Sequence, residues 1–142
     1  MEYRKGVFII VYRESPRKYL LLKRKLHWKG WEFPKGGVEF LETNKGAVKR
    51  ETKEETGLRV LKIKDYGLSG EYKYDKKTVE DRKKVGQTWR LYSVQVGSGK
   101  IKIDKKEHSD YEWVNYNKAI KMLSWSNQRK CLRIVDRDLN DY

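Results

Sequence analysis

The chain has 142 residues, 37% apolar and 38% charged, which is enough for one domain with a self-sufficient core. Its longest purely apolar or aromatic run, Val7 to Tyr12, is too short for a membrane-spanning helix, which needs about twenty residues. Lys+Arg 34 against Asp+Glu 20 gives a net charge of +14, and a single cysteine, Cys131, excludes an internal disulfide or a thiol-based metal site.

The expected setting is reducing and cytoplasmic, with no secretory leader. Residues 1–35 alone carry 10 Lys/Arg against 3 Asp/Glu, a local field that concentrates anions. Nucleic acid, nucleotides and polyphosphates suit that field. An acidic partner protein would suit it as well, and plain solubility is the bland account. Charge by itself names no reaction.

In chain order, Val7–Tyr12 is β-branched and aromatic between Gly6 and Ser15-Pro16, which predicts a buried strand. Tyr19–Leu22 follows closely enough to form a hairpin with it. Trp31 to Pro34 reads as extended, because proline moves its predecessor out of helical geometry. Thr43 to Glu55 reads as a helix capped by Thr43 and ended before Gly57. Leu58–Tyr66 and Trp89–Val96 read as strands, Ile101–Ile103 as a short edge, and Trp113-Val114 as a last short strand. Asp75 to Lys84 mixes charge signs without apolar spacing and reads as a mobile loop. Asn117 to Leu139 carries helical spacing, and Trp89 and Trp113 read as core. Strands and helices are interspersed without a linker, so residues 1–142 form one α/β or α+β domain.

The helix at Thr43–Glu55 breaks the usual pattern. It offers only Ala47 and Val48 as apolar side chains. At about 100° per residue, Arg50, Glu51, Glu54 and Glu55 share one face, while Lys45, Lys49 and Lys53 occupy another. Carboxylates at this spacing repel each other, and they sit where the helix dipole disfavours anions. A solvated face with Lys/Glu pairs would explain a glutamate cluster seen alone. Just upstream, however, Pro34-Lys35-Gly36-Gly37 sets a permissive backbone beside a cation. A divalent ion with phosphate oxygens would resolve the crowding.

Gly36, Glu42, Arg50, Glu51, Glu54, Glu55, Gly57 and Leu58 follow the spacing G-x5-E-x7-R-E-U-x-E-E-x-G-U, so residues 36–58 resemble a Nudix box. One looser position departs: Thr52 stands where a bulky aliphatic is usual, which suggests a weaker anchor beneath the loop. The resemblance implies an α/β/α sandwich with a mixed sheet and metal-dependent hydrolysis of a nucleoside diphosphate linked to another group. It implies Mg²⁺, which Mn²⁺ can replace. Glu51, Glu54 and Glu55 would ligate the metal, joined by Glu107 and by the Lys35 carbonyl. Glu51 and Glu107 are the candidate bases, Arg50 holds the carboxylates, and Glu42 braces the loop through Arg50. Gly36, Gly37 and Gly57 are structural positions of the box.

Beyond the box, Gly30 to Gly36, Gly86-Gln87 and Glu107 to Val114 are similar to stretches of the asymmetric dinucleoside tetraphosphate hydrolases and RNA 5′-pyrophosphohydrolases. For the base ring the candidates are Tyr72, Tyr74 and Tyr111. His108 either orients Glu107 or meets phosphate. Lys35, with Lys77 and its neighbours Lys76, Lys83 and Lys84, would contact phosphates. The resemblance therefore implies a pyrophosphohydrolase of nucleoside polyphosphates, with asymmetric cleavage of a dinucleoside tetraphosphate ranked first. An RNA 5′ end is the alternative substrate. Enzymes for oxidised nucleotides or ADP-sugars rank lower, and a non-catalytic RNA- or nucleotide-binding module is the rival from another class. No membrane partner is expected, and a monomer is favoured.

Overall fold

A computed structural model describes residues 2–141. The long apolar run becomes the central strand β1 (Gly6–Arg13), which pairs antiparallel with β2 (Lys18–Arg24) in the expected hairpin. Short strands β3 (Gly30–Glu32) and β4 (Lys35–Gly37) precede helix α1 (Asn44–Thr56). Then come β5 (Val60–Lys73), α2 (Lys76–Arg82), β6 (Gly86–Val96), β7 (His108–Val114), α3 (Tyr116–Met122) and α4 (Ser126–Asn140). The main strand order is β3-β2-β1-β6-β5, with β4 also paired to β1 and β7 to β2. The β1–β6 pair is parallel and the others antiparallel, so the sheet is mixed.

β1 is apolar throughout because both its faces are covered. Its alternate residues Phe8, Ile10 and Tyr12 pack towards Ala119, Leu132 and Val135 of α3 and α4. Val7, Ile9 and Val11 pack towards Ala47 and Val48 of α1. Two apolar layers thus lie against one sheet, the sandwich that the box resemblance implies. No helix among the described residues is long and apolar enough to cross a membrane.

Four local expectations need correction. Asp75 to Lys84 is not a mobile loop: Asp75 caps α2 by accepting from the Thr78 N–H at 2.8 Å, and Lys83 closes it in the left-handed region. Only Thr78 of α2 is buried, so the helix leaves no apolar period to read. Ile101–Ile103 forms no strand. Its isoleucines pack on the α1 layer, while the Lys102 N–H bonds the Thr56 carbonyl at the end of α1. The segment from Asn117 to Leu139 is two helices, broken where Leu123 and Trp125 are extended. That break lets the Ser124 N–H reach the Trp31 carbonyl of β3. Finally, β5 runs on to Lys73, with register shifts that absorb the turn at Gly67.

Thr52, the departure inside the box, is fully buried, and its hydroxyl donates to the Val48 carbonyl at 2.7 Å. The polar atom therefore carries no unpaired cost. Replacing Asp75 by Ala should remove the α2 cap, at a local cost of about 1 kcal/mol. Hydrogen exchange should show faster amides in Lys76–Arg82 with the strands unaffected.

Candidate active site

The site is built where α1 meets β4. Thr43 accepts from the Gly46 N–H at 3.0 Å to start the helix, and Gly57 ends it at φ 71°. Arg50 points back from the helix and gathers the loop. Its guanidinium clasps Glu42 through two bonds of 2.8 and 2.9 Å and donates to the Gly37 carbonyl at 2.8 Å. It also donates to Glu51 at 2.8 Å and to Glu54 at 3.3 Å. The Arg50 bonds, with the Glu39 N–H, hold the Glu42 carboxyl down at about 2.

Gly36 is glycine because the Glu51 carboxylate occupies the space a Cβ would need. At Gly37 the same space belongs to the Arg4 guanidinium. Glu51 is largely buried, and burial pushes its carboxyl up despite Arg50. Glu55 is more extreme at 4% exposure. Its Oε2 has no hydrogen-bond partner, and burial, then the charges of Glu51, Glu32 and Glu107, push its carboxyl well above the usual range.

Glu107 lies just ahead of β7, with its carbonyl held by the Lys25 and Leu26 N–H groups. Glu55, Glu107 and His108 each bring a ligand atom within 4.8 Å of the others. An orphaned buried carboxylate oxygen among like charges is a fit for a divalent cation, and hard oxygen donors favour an ion of the magnesium type. A small cavity of about 50 Å³ beside this point is lined by Glu51, Glu107, Gly36 and Lys35. Glu54 stands outside it, more exposed and tied to Arg50.

Sequence reasoning missed the group beneath. Glu32 is wholly buried, with His108 Nε2 at 2.9 Å, Lys35 Nζ at 3.3 Å and Arg24 Nη1 at 3.4 Å. Burial alone would raise the Glu32 carboxyl, but Lys35, the His108 bond and Arg24 outweigh it and hold it at about 2. His108 therefore orients Glu32, not Glu107. The available signal was a lone acid inside the extended apolar stretch Trp31–Phe33.

A larger cleft of about 440 Å³ opens from the small cavity, and Arg24, Lys35 and Arg82 line both. Tyr72 and Tyr74 line the cleft, but their rings are engaged. Tyr72 stacks on Phe8 at 6.2 Å, lies under the Lys35 ammonium and accepts from it at 3.2 Å. Tyr74 carries Arg82 over its ring, and its hydroxyl donates to Gln87 at 2.8 Å. Trp28 and Trp125, absent from the sequence reading, meet edge to face at 5.1 Å on the cleft wall. The α3–α4 break puts Trp125 there. Tyr111 and the lysines Lys76, Lys77, Lys83 and Lys84 are not among the residues that line the cleft. Tyr111 sits on β7 opposite Leu22, whose side chain belongs to the α1 layer, and Lys77 is on the exposed side of α2, where only Thr78 turns inward.

A family model for the NUDIX domain matches residues 2–133. The chain is 31% identical over 125 residues to an RNA pyrophosphohydrolase of Marinomonas sp. (strain MWYL1), covering 80% of this chain and 76% of that protein. A second RNA pyrophosphohydrolase, from Hydrogenovibrio crunogenus, is 30% identical over 80% of this chain and 74% of its own length. Among solved structures, a C. elegans Ap4A hydrolase binary complex superposes with TM-score 0.79 at 21% identity, over 98% of this chain and 99% of that one. The E. coli dihydroneopterin triphosphate pyrophosphohydrolase superposes with TM-score 0.76 at 19% identity, covering 93% of this chain and 95% of that one. At these identities the structural likeness is one of fold.

Two outcomes follow from the carboxylates. Glu51 and Glu55, raised in the fold, make the metal-free protein retain protons that the unfolded chain sheds above 4.5, so its stability falls as pH rises from there through the raised values. A divalent ion removes that penalty. The melting-temperature gain on adding Mg²⁺ should therefore grow as pH rises from the ordinary carboxylate range through the raised values. Glu55→Gln should raise the metal-free melting point by about 3 °C, the equivalent of roughly 1 kcal/mol in a domain of this length, and abolish the Mg²⁺ gain. Separately, Gly36→Ala must displace Glu51 and should lower turnover by about a hundredfold or more while the protein stays folded. Circular dichroism and single-turnover kinetics check both halves.

Proposed function

We propose that this chain, which belongs to the NUDIX family of hydrolases, is a metal-dependent pyrophosphohydrolase whose substrate is the triphosphorylated 5′ end of RNA. The observation that carries the chemistry is the unpartnered Glu55 oxygen beside Glu51 and Glu107, at the end of a cleft floored by cations and walled by two tryptophans. A divalent ion there, Mg²⁺ with Mn²⁺ as substitute, supplies neutralisation of charge on the phosphate oxygens. Glu51, Glu55 and Glu107 would hold it, with the Lys35 carbonyl beside Gly36 as a further donor.

Arg24, Lys35 and Arg82 stand between the two cavities, where a chain of phosphates must pass. Glu32 anchors Lys35 and Arg24 from below, so these cations present preset positions to the substrate. Glu51 is the first choice to take a proton from the attacking water, because burial raises its affinity for one, and Glu107 is the second. The terminal base stacks against Trp28 or Trp125.

The choice of RNA rests on relatives at 30–31% identity that carry that activity in their names. A dinucleoside tetraphosphate is the second reading. It is supported by a fold shared with an Ap4A hydrolase.

The two substrates should be compared by kcat/KM at near-physiological salt with Mg²⁺ held constant. Triphosphorylated RNA should be the better one. A dinucleoside tetraphosphate cleaved faster reverses the order. Trp125→Ala should raise KM by about 10- to 100-fold with kcat little changed, the worth of about 1–3 kcal/mol for one stacked base.

A further inference from the structure

α1 carries a second charged face that the hydrolytic site does not use. Lys45, Lys49 and Lys53 are all exposed and recur every four residues, so they form one row with a step of about 6 Å. Like charges at i,i+4 repel, and Lys45 sits in the first turn, where the helix dipole disfavours a cation and no acid offsets it. The nearby carboxylates are committed elsewhere, Glu42, Glu51 and Glu54 all to Arg50. Among the described residues, none of the three lysines makes an ion pair.

The row continues past the helix end. Lys102 is exposed, and its Cβ lies 3.2 Å from where a Gly57 side chain would start. At the other end, the turn leading into α1 holds Phe40 at 93% exposure. An aromatic ring in open solvent at the head of an unpaired cationic row is the combination that grips single strands: cations follow the backbone while a ring stacks on a base.

We propose that Phe40, Lys45, Lys49, Lys53 and Lys102 form a binding surface for the body of a single-stranded RNA, separate from the cleft that takes its 5′ end. Its biological occupant rests on the RNA reading above. An acidic protein is the weaker match, because the exposed apolar side chains at the head of the row, Phe40 and Leu41, stand in open solvent and offer no buried anchor.

The experiment measures anisotropy of a labelled, unstructured 12-nucleotide RNA with a 5′-hydroxyl across a salt series, so no hydrolysis is needed. The Lys45→Gln, Lys49→Gln, Lys53→Gln triple variant should bind about tenfold or more weakly and flatten the log–log salt slope by about 2, at about 0.7 per phosphate contact. The matching triple arginine variant should restore both. Phe40→Ala should weaken binding with the slope unchanged. The glutamine variant should keep its melting point and its turnover of a dinucleoside tetraphosphate. An unchanged slope overturns the proposal and leaves a solvated face, and so does loss of affinity that the arginine variant fails to restore. If the slope flattens but wild-type protein leaves triphosphorylated RNA intact, the surface stands and the substrate assignment falls.

Discussion

Mutual repulsion among carboxylates on one short helix is the constraint around which this protein is arranged. Glu51, Glu54 and Glu55 crowd one face of α1, and two of them are largely buried. Arg50 is the internal answer to that crowding. It also binds Glu42 and the Gly37 carbonyl, so the guanidinium that offsets the acids fixes the loop which shapes their cavity. Stability and geometry therefore rest on one side chain. Lysine could not replace it, because a single ammonium cannot reach three carboxylates and a carbonyl in fixed directions. Arg50 does not bond Glu55, and a bound cation would offset the crowding that remains there.

A second, deeper arrangement of charge supports the first. Glu32 lies beneath the cleft with Lys35, Arg24 and His108 around it, so a buried anion organises cations that line the cleft. Burying an acid is favourable only when its partners are this close. Lys35 gains a fixed position, with its ammonium also resting against Tyr72.

What could be read from residue order follows from what periodicity and spacing encode. The β1 run declared a strand covered on both faces, and the box spacing declared α1, its caps and the roles of Gly36 and Arg50. Those features depend on neighbours close in sequence. Contacts between distant segments left no such trace: Glu32 with His108, or Trp28 with Trp125, join residues far apart in the chain. α2 escaped notice because its helix stands on a cap and buries one side chain, giving no stripe. His108 stands next to Glu107 in sequence, but its ring meets Glu32, seventy-six residues away along the chain. Tyr111 and Lys77 were plausible by chemistry, but strand alternation turns Tyr111 to the α1 side of the sheet, and Lys77 lies on the exposed side of α2.

The interruption between α3 and α4 carries a consequence for how such a protein diversifies. On the proposed reading hydrolysis is carried by the α1 layer, whereas the wall that would meet the base comes from Trp125, delivered by a three-residue connection on the opposite side of the sheet. Insertions or replacements in that connection can remodel what is recognised without disturbing Arg50 or the acids it restrains. Catalytic power and substrate choice are thus separately heritable, and lineages built on this plan can exchange one while the other is preserved.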